Sequence, residues 1–190
     1  MGKVVVVGVD HFLQNIEGFC LTTDGKGWEE KQKGALKARL EGLICENKVQ
    51  LVAEEAKLDG NSVGKELADA QRCKYYNLTM PWEERTKHGI EKDYDRSAET
   101  REVAYRVFER FMFDVVQGSR EGVTGILIIC GSFHMKNVAA LFATAGDEVL
   151  SDDTTLADWY RGRPIESAGG VTGFYKEAYE RMAASKLGST

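Results

Sequence analysis

The chain has 190 residues, 43% of them hydrophobic and 29% charged, with only two prolines, which is enough length for one well-buried core and too little proline for linkers or extended disorder. Twenty-five Lys and Arg against 30 Asp and Glu give a net charge of −5; this supplies no general pull toward nucleic-acid phosphates or anionic lipid, so neither partner is expected. The four cysteines, Cys20, Cys45, Cys73 and Cys130, lie far apart and form no CxxC pair, which removes a zinc knuckle or thioredoxin-like motif and reads as small buried hydrophobes in a reducing cytosol.

The N-terminal stretch Met-Gly-Lys-Val-Val-Val-Val-Gly has an apolar run too short for a secretory signal or a membrane span, so a strand over 3–8 and a cytoplasmic location are expected. Position 6 is Val where a myristoylation motif wants Ser or Thr. Residues 10–28 read as a long excursion rich in Gly, Thr and Asp, of the kind that forms functional lids. A helix over 29–45 follows, with Leu36, Leu40, Leu43 and Ile44 on one face. The next strand covers 49–54, and a helix is expected over 62–72 with Asn61 as its N-cap. A weaker strand candidate, 73–77, precedes a second excursion at 78–96. Residues 97–117 place Ala104, Phe108, Phe111, Met112 and Val115 on one helical face. A third strong strand is 125–131 (Gly-Ile-Leu-Ile-Ile-Cys-Gly), followed by a helix over 134–145 with Gly146 as its stop, a weaker strand at 147–151 and a C-terminal helix at 173–186.

The apolar, β-branched runs 3–8, 49–54 and 125–131 are the pattern of strands covered on both faces, and their alternation with helices predicts a three-layer α/β fold. The expectation is a single domain over 1–190 with a mostly parallel central sheet of about five strands and helices on both faces. No internal repeat or low-complexity segment interrupts it.

In such a sheet, ligands gather beyond the carboxyl ends of the strands, where loops converge and helix N-termini point inward. Gly8-Val9-Asp10-His11 follows the first strand, Glu54-Glu55 ends the second, and Gly131-Ser132-Phe133-His134 follows the third. Glycine lets the chain bend sharply at each strand end, so that an imidazole three residues later can swing back over it. Two of only three histidines carry glycine at minus three, and that repetition is the signal. Two imidazoles and a carboxylate either ligate a divalent metal such as Zn or Mn, through His11, Glu54 and His134, or work without one, His or Glu drawing a proton from water. Adjacent glutamates in a regular strand point to opposite faces, a constraint that relaxes at a strand end, so Glu54 and Glu55 both stand as candidates. Taken singly, a histidine at a strand end is more often a hydrogen-bonded turn residue than a ligand; the three motifs together reverse that balance.

The order Gly8-Val9-Asp10-His11, Glu54-Glu55, Gly131-Ser132-Phe133-His134 resembles the superfamily that contains erythromycin esterase, the Tiki proteases, the TraB-like proteins and the haem-binding lipoprotein ChaN. That superfamily is marked by two GxxH motifs with glutamates between them. The resemblance covers roughly residues 3–150 through short motifs, and implies an α/β fold with a polar pocket built by these residues. It leaves the activity open, since members include a metal-independent esterase, metal-dependent proteases and a haem binder. Met80 to Ile90, Thr100-Arg101-Glu102 and Ile129 to His134 also look like a group of uncharacterised small bacterial members. The chain lacks the helical insertions of the esterases, the membrane segments of the Tiki and TraB relatives, and the lipoprotein signal of ChaN.

The catalytic candidates are therefore His11, Glu54, Glu55 and His134, with Asp10, Arg85 and Arg101 as candidates for contacts to a small-molecule or peptide substrate. The expected activity is water activation against an ester, amide or related bond. The alternative is a binding protein holding haem, a nucleotide or another small ligand in the same crevice without turnover. His88, beside Lys87 and Gly89, reads as a solvated loop residue; Trp28, Trp82 and Trp159 read as core anchors or loop staples. Gly60 to Glu66 lacks the Walker A spacing and its Ser or Thr, no GxGxxG follows the first strand, and Gly131-Ser132 fits no nucleophile elbow. The oligomeric state is not legible.

Overall fold

A computed structural model describes residues 2–10, 14, 23–56, 61–90 and 97–157, with the backbone alone for 23–29 and 156. The expected C-terminal helix at 173–186, His11, Cys20 and Trp159 lie outside the described residues. Five parallel strands form one sheet in the order β3-β2-β4-β1-β5, with β1 Lys3–Val9, β2 Leu51–Glu54, β3 Lys74–Asn77, β4 Gly125–Gly131 and β5 Glu148–Asp153. The three strongest apolar runs became the three central strands: Val4 to Val7, Leu51 to Ala53 and Ile126 to Cys130 are buried essentially completely. The two weaker candidates became the edges, β3 and β5, which are half-exposed along their length. A strand covered on both faces must be apolar throughout, whereas an edge strand needs less, so the contrast in composition encodes position in the sheet.

Helices cover both faces, as expected of a three-layer α/β fold. One layer is α1 Thr23–Glu46 and α2 Val63–Gln71, whose Leu36, Leu40, Leu43, Ile44 and Leu67 pack on Val5, Val7, Val52, Leu127 and Ile129. The other holds the short α3 Trp82–Lys87, then α4 Ala98–Ser119 and α5 Ser132–Thr144. There Phe108, Met112, Val138 and Phe142 pack on Val4, Val6, Leu51, Ile126 and Ile128. Odd and even residues of each central strand thus feed separate cores.

Three boundaries differ from expectation. Helix α1 starts at Thr23, so the end of the 10–28 excursion is helical; two glycines cost roughly 1 kcal/mol each against alanine, less than a long packed helix recovers. The N-cap of α2 is Ser62, not Asn61, its hydroxyl accepting from the Lys65 amide at 3.2 Å. Helix α5 begins directly at Ser132, and Gly131 sits at φ −55°, ψ 140°, so strand passes to helix with no bend in between. At the other end, Ala145 caps α5 and Gly146 follows at φ 90°, the left-handed stop that the sequence indicated.

The connection from β2 leaves over the α1–α2 face to reach β3, while that from β4 leaves over the α4–α5 face to reach β5. Because β2 and β4 are neighbours, their carboxyl ends open a crevice where the chain diverges to opposite faces. The amino-terminal ends of the strands are closed by a partly buried ion pair. Arg120 donates to both oxygens of Asp147 at 2.6 and 2.7 Å, and Asp147 also accepts from the Gly2 amide at 2.9 Å. This ties the entry to β1, the exit of α4 and the entry to β5.

The arginine beside Asp147 holds its carboxyl below the usual range, so its contribution to stability is present above about pH 3.9 and lost as pH falls through the folded value. Asp147→Asn, which leaves Arg120 half-paired, is expected to cost about 2 kcal/mol near neutral pH. Urea denaturation at neutral and acid pH checks this, the gap from wild type narrowing on acidification.

Candidate functional site

Glu54 is the last residue of β2 and is completely buried. Its side chain turns to the α1–α2 face, where four donors meet it: the Ser62 hydroxyl, the Tyr75 hydroxyl at 3.2 Å, the Gly64 amide at 3.3 Å and the Gln14 amide side chain at 3.3 Å. Burial raises the Glu54 pKa against these hydrogen bonds, each of which favours the anion. Burial and the adjacent Glu54 charge also push the Tyr75 phenol upward. Gly64 is the residue that admits the carboxylate, because a Cβ there would stand 2.6 Å from Glu54 Oε2 and 2.7 Å from its Cδ. Glu54 joins the end of β2 to the start of α2 and to the end of β3.

Glu55 turns the other way. Its backbone amide continues the pairing, donating to Ile129 O at 2.8 Å, and its side chain crosses to the β4 terminus. There Oε2 accepts from the Gly131 amide at 3.1 Å and Oε1 lies 4.0 Å from His134 Nε2. His134 is the third residue of α5, with its side chain 7% exposed. Its Nδ1 is 3.0 Å from Glu109 Oε1, and Asn137 Nδ2, one turn further along α5, donates to both Glu109 oxygens at 3.0 Å. Tyr105 packs edge-on against the imidazole at 4.6 Å between ring centroids, with Phe108 at 6.4 Å. Burial by itself lowers the His134 pKa, but the Glu109 hydrogen bond and the charges of Glu55 and Glu109 outweigh it and hold the ring above its ordinary value.

The other candidates spread around this centre. Asp10 lies just past β1, half-buried. Gly8 pairs with Cys130 on one side and Asp153 on the other, and its carbonyl accepts from Thr154 Oγ1 at 2.7 Å. Gly8 makes no bend: it lies inside β1, where a Cβ would come within 3.1 Å of both Met135 Sδ and Ser132 Cα. Arg85 folds inward, donating from Nε to Met80 O at 2.9 Å with its guanidinium 4.8 Å over the Phe108 ring. Arg101 is half-buried in the first turn of α4. His88 is exposed at the end of α3, 3.6 Å from Glu84. Trp82 is also exposed, at the start of a six-residue helix with no buried residue, so of the two readings, core anchor or loop staple, it is no core anchor. Cys45 is exposed rather than buried, whereas Cys130 is buried, which pushes its thiol well above the ordinary range.

Glu109, Asn137 and Tyr105 were not identified from sequence. The available signal was Glu109 itself, a carboxylate within the buried stripe Ala104, Phe108, Met112 and Val116 of α4. Glu109 and Asn137 also line an open groove of about 570 Å³ between α4 and α5, together with Arg106, Arg110, Phe113 and Leu141. The Ser132 hydroxyl, at the start of α5, is buried without a hydrogen-bond partner among the described residues.

Among the described residues, no group of three His, Cys, Asp or Glu side chains is arranged to hold a metal ion, and no helix is long and apolar enough to cross a membrane. Of the proposed trio His11, Glu54 and His134, the first is outside the described residues, and the other two engage separate partners, Glu54 with Ser62, Tyr75, Gly64 and Gln14 and His134 with Glu109. Comparison with family models, curated proteins and solved structures finds no match.

Gly64→Ala is expected to destabilise the fold by about 2 kcal/mol or more through overpacking against Glu54, whereas Gly34→Ala in α1, which meets nothing within 4 Å, should stabilise by about 0.5–1 kcal/mol; urea midpoints of the two variants check the contrast. For His134, whose folded pKa is raised, the stabilising contribution is complete below about pH 6.5 and is lost as pH rises through the folded value. His134→Gln should therefore flatten the alkaline decline in urea midpoint. An unchanged pH profile would show that the imidazole charge is not coupled to folding.

Proposed function

We propose that the protein is a hydrolase-like enzyme in which His134 and Glu55, joined by His11, activate a water molecule against an ester, amide or related bond. The observation that supports this reading is the approach of His134 Nε2 to Glu55 Oε1, at 4.0 Å, at the point where the β2 and β4 connections diverge. An imidazole and a carboxylate at that separation support a reading in which they share a proton through a reacting water. In this reading His134 Nε2 takes the proton from water and Glu55 stabilises the charge that forms on the ring. Glu54 is assigned the structural role of fastening β2 to α2, and Asp10, Arg85 and Arg101 remain the candidates for substrate contact. The superfamily resemblance of the two GxxH motifs adds support, and a small-molecule or peptide substrate follows from it.

The test is hydrolysis of a panel of activated esters and amides by wild type and by His11→Ala, His134→Ala and Glu55→Gln, with circular dichroism confirming folding. Each variant is expected to lose on the order of a hundredfold or more in kcat/KM. Wild-type rates in folded His134→Ala or Glu55→Gln would overturn the assignment. A visible absorption band from bound haem in the purified protein, with no turnover of any panel member, would favour the binding-protein alternative.

A further inference from the structure

The side of His134 away from Glu55 is as fully specified as the side facing it. Glu109 Oε1 lies 3.0 Å from Nδ1, and both Glu109 oxygens accept from the Asn137 side-chain amide at 3.0 Å. An NH2 group only donates, so Asn137 requires the Glu109 carboxylate to be an acceptor at both oxygens. A carboxylate that is an acceptor at Oε1 in turn requires Nδ1 to be the donor. The ring also has little freedom to rotate out of this arrangement, since Tyr105 packs against it at 4.6 Å and it is 7% exposed.

We infer that Glu109 is a positioning residue which, oriented by Asn137, locks His134 as its Nδ1–H tautomer and thereby presents Nε2 as the proton-accepting nitrogen toward Glu55. A free histidine side chain prefers the opposite tautomer, with the proton on Nε2, so the arrangement imposes the form in which the ring acts as a base on the crevice side. Without it, Nε2 carries the hydrogen in the neutral ring, points it at Glu55 and has no lone pair for water. Glu109 itself touches neither water nor substrate in this scheme. The consequence for turnover rests on the hydrolase reading given above; the tautomer assignment does not.

The test is the pair of ring 15N chemical shifts of His134 in the full-length protein, assigned by loss in His134→Gln and followed upward in pH until the ring is neutral. Wild type is expected to show a pyrrole-like Nδ1 and a pyridine-like Nε2. Glu109→Met, of similar bulk and with no acceptor, should reverse that pattern. A neutral wild-type ring with the proton on Nε2, or an unchanged pattern in folded Glu109→Met, would overturn the inference. Should Glu109→Met fail to fold, the wild-type spectrum still decides the tautomer, and a proton on Nε2 there overturns the inference. Against a hydrolysed substrate, Glu109→Met is expected to lower kcat on the order of a hundredfold with KM little changed, and Glu109→Gln, whose amide NH2 can donate to Nδ1 and hold the other tautomer, to recover little of it. Absence of any turnover would count against the hydrolase reading and leave the tautomer result standing, whereas the Nδ1–H tautomer with an undiminished kcat in Glu109→Met would refute the positioning role.

Discussion

An extended backbone sends consecutive side chains to opposite faces of a sheet, and the geometry at Glu54 and Glu55 follows from that constraint. The β2 backbone remains in register through Glu54, paired with Ile129 and Asn77, and the Glu55 amide still reaches Ile129 O. The two carboxylates therefore cannot share a cavity. Glu54 enters the α1–α2 layer, where four donors receive it. Glu55 enters the α4–α5 layer, where it meets the Gly131 amide and His134. The relaxation anticipated at a strand end does not occur, because the hydrogen-bond ladder continues one residue beyond the assigned strand.

The electrostatics of the second arrangement are demanding. Two carboxylates flank one imidazole, all three largely buried, and an isolated buried charge costs several kcal/mol after relaxation. Both carboxyl groups are met by oriented amide donors, Gly131 N–H at Glu55 and the Asn137 side chain at Glu109. Both donors belong to the strand-to-helix passage from β4 into α5, so the same backbone that carries His134 supplies the groups that let it stay between two acids. Glu109, from α4, then fixes the register of α4 against α5 by a polar contact inside an otherwise apolar packing of Phe108, Met112, Val138 and Phe142.

The architecture was legible because its strongest terms are local. Runs such as Val4 to Val7 and Ile126 to Ile129 can satisfy burial on both sides only as central strands, and the heptad-like spacing of Leu36, Leu40 and Leu43 can do so only as a helix. Glu55 and His134 stood out as candidates for a related reason: each lies within a few residues of the end of such a run. Glu109 was not, since the chain separation between α4 and α5 hides the pairing, and a charge in an apolar stripe looks like a surface residue at its edge until the partner helix is in place. The start of α1 was missed because Gly25 and Gly27 weigh against a helix locally. Ser62 and Asn61 are equally good caps; the choice falls to Ser62 because its hydroxyl both accepts from Lys65 and donates to Glu54.

The two glycines of the paired motifs turn out to serve different physical ends. Read as bends, Gly8 and Gly131 would be interchangeable in purpose. In the structure β1 and β4 are adjacent and in register, Gly8 beside Cys130 and Val9 beside Gly131, so the start of α5 must pass directly over β1. The missing side chain at Gly8 provides that clearance, since a Cβ would meet Ser132 Cα and Met135 Sδ at 3.1 Å. Gly131, with backbone angles open to other residues, contributes its amide to Glu55 instead. The glycine of the first motif thus places the helix that carries the histidine of the second, which makes the pair one cooperative unit across neighbouring strands rather than two copies of a turn.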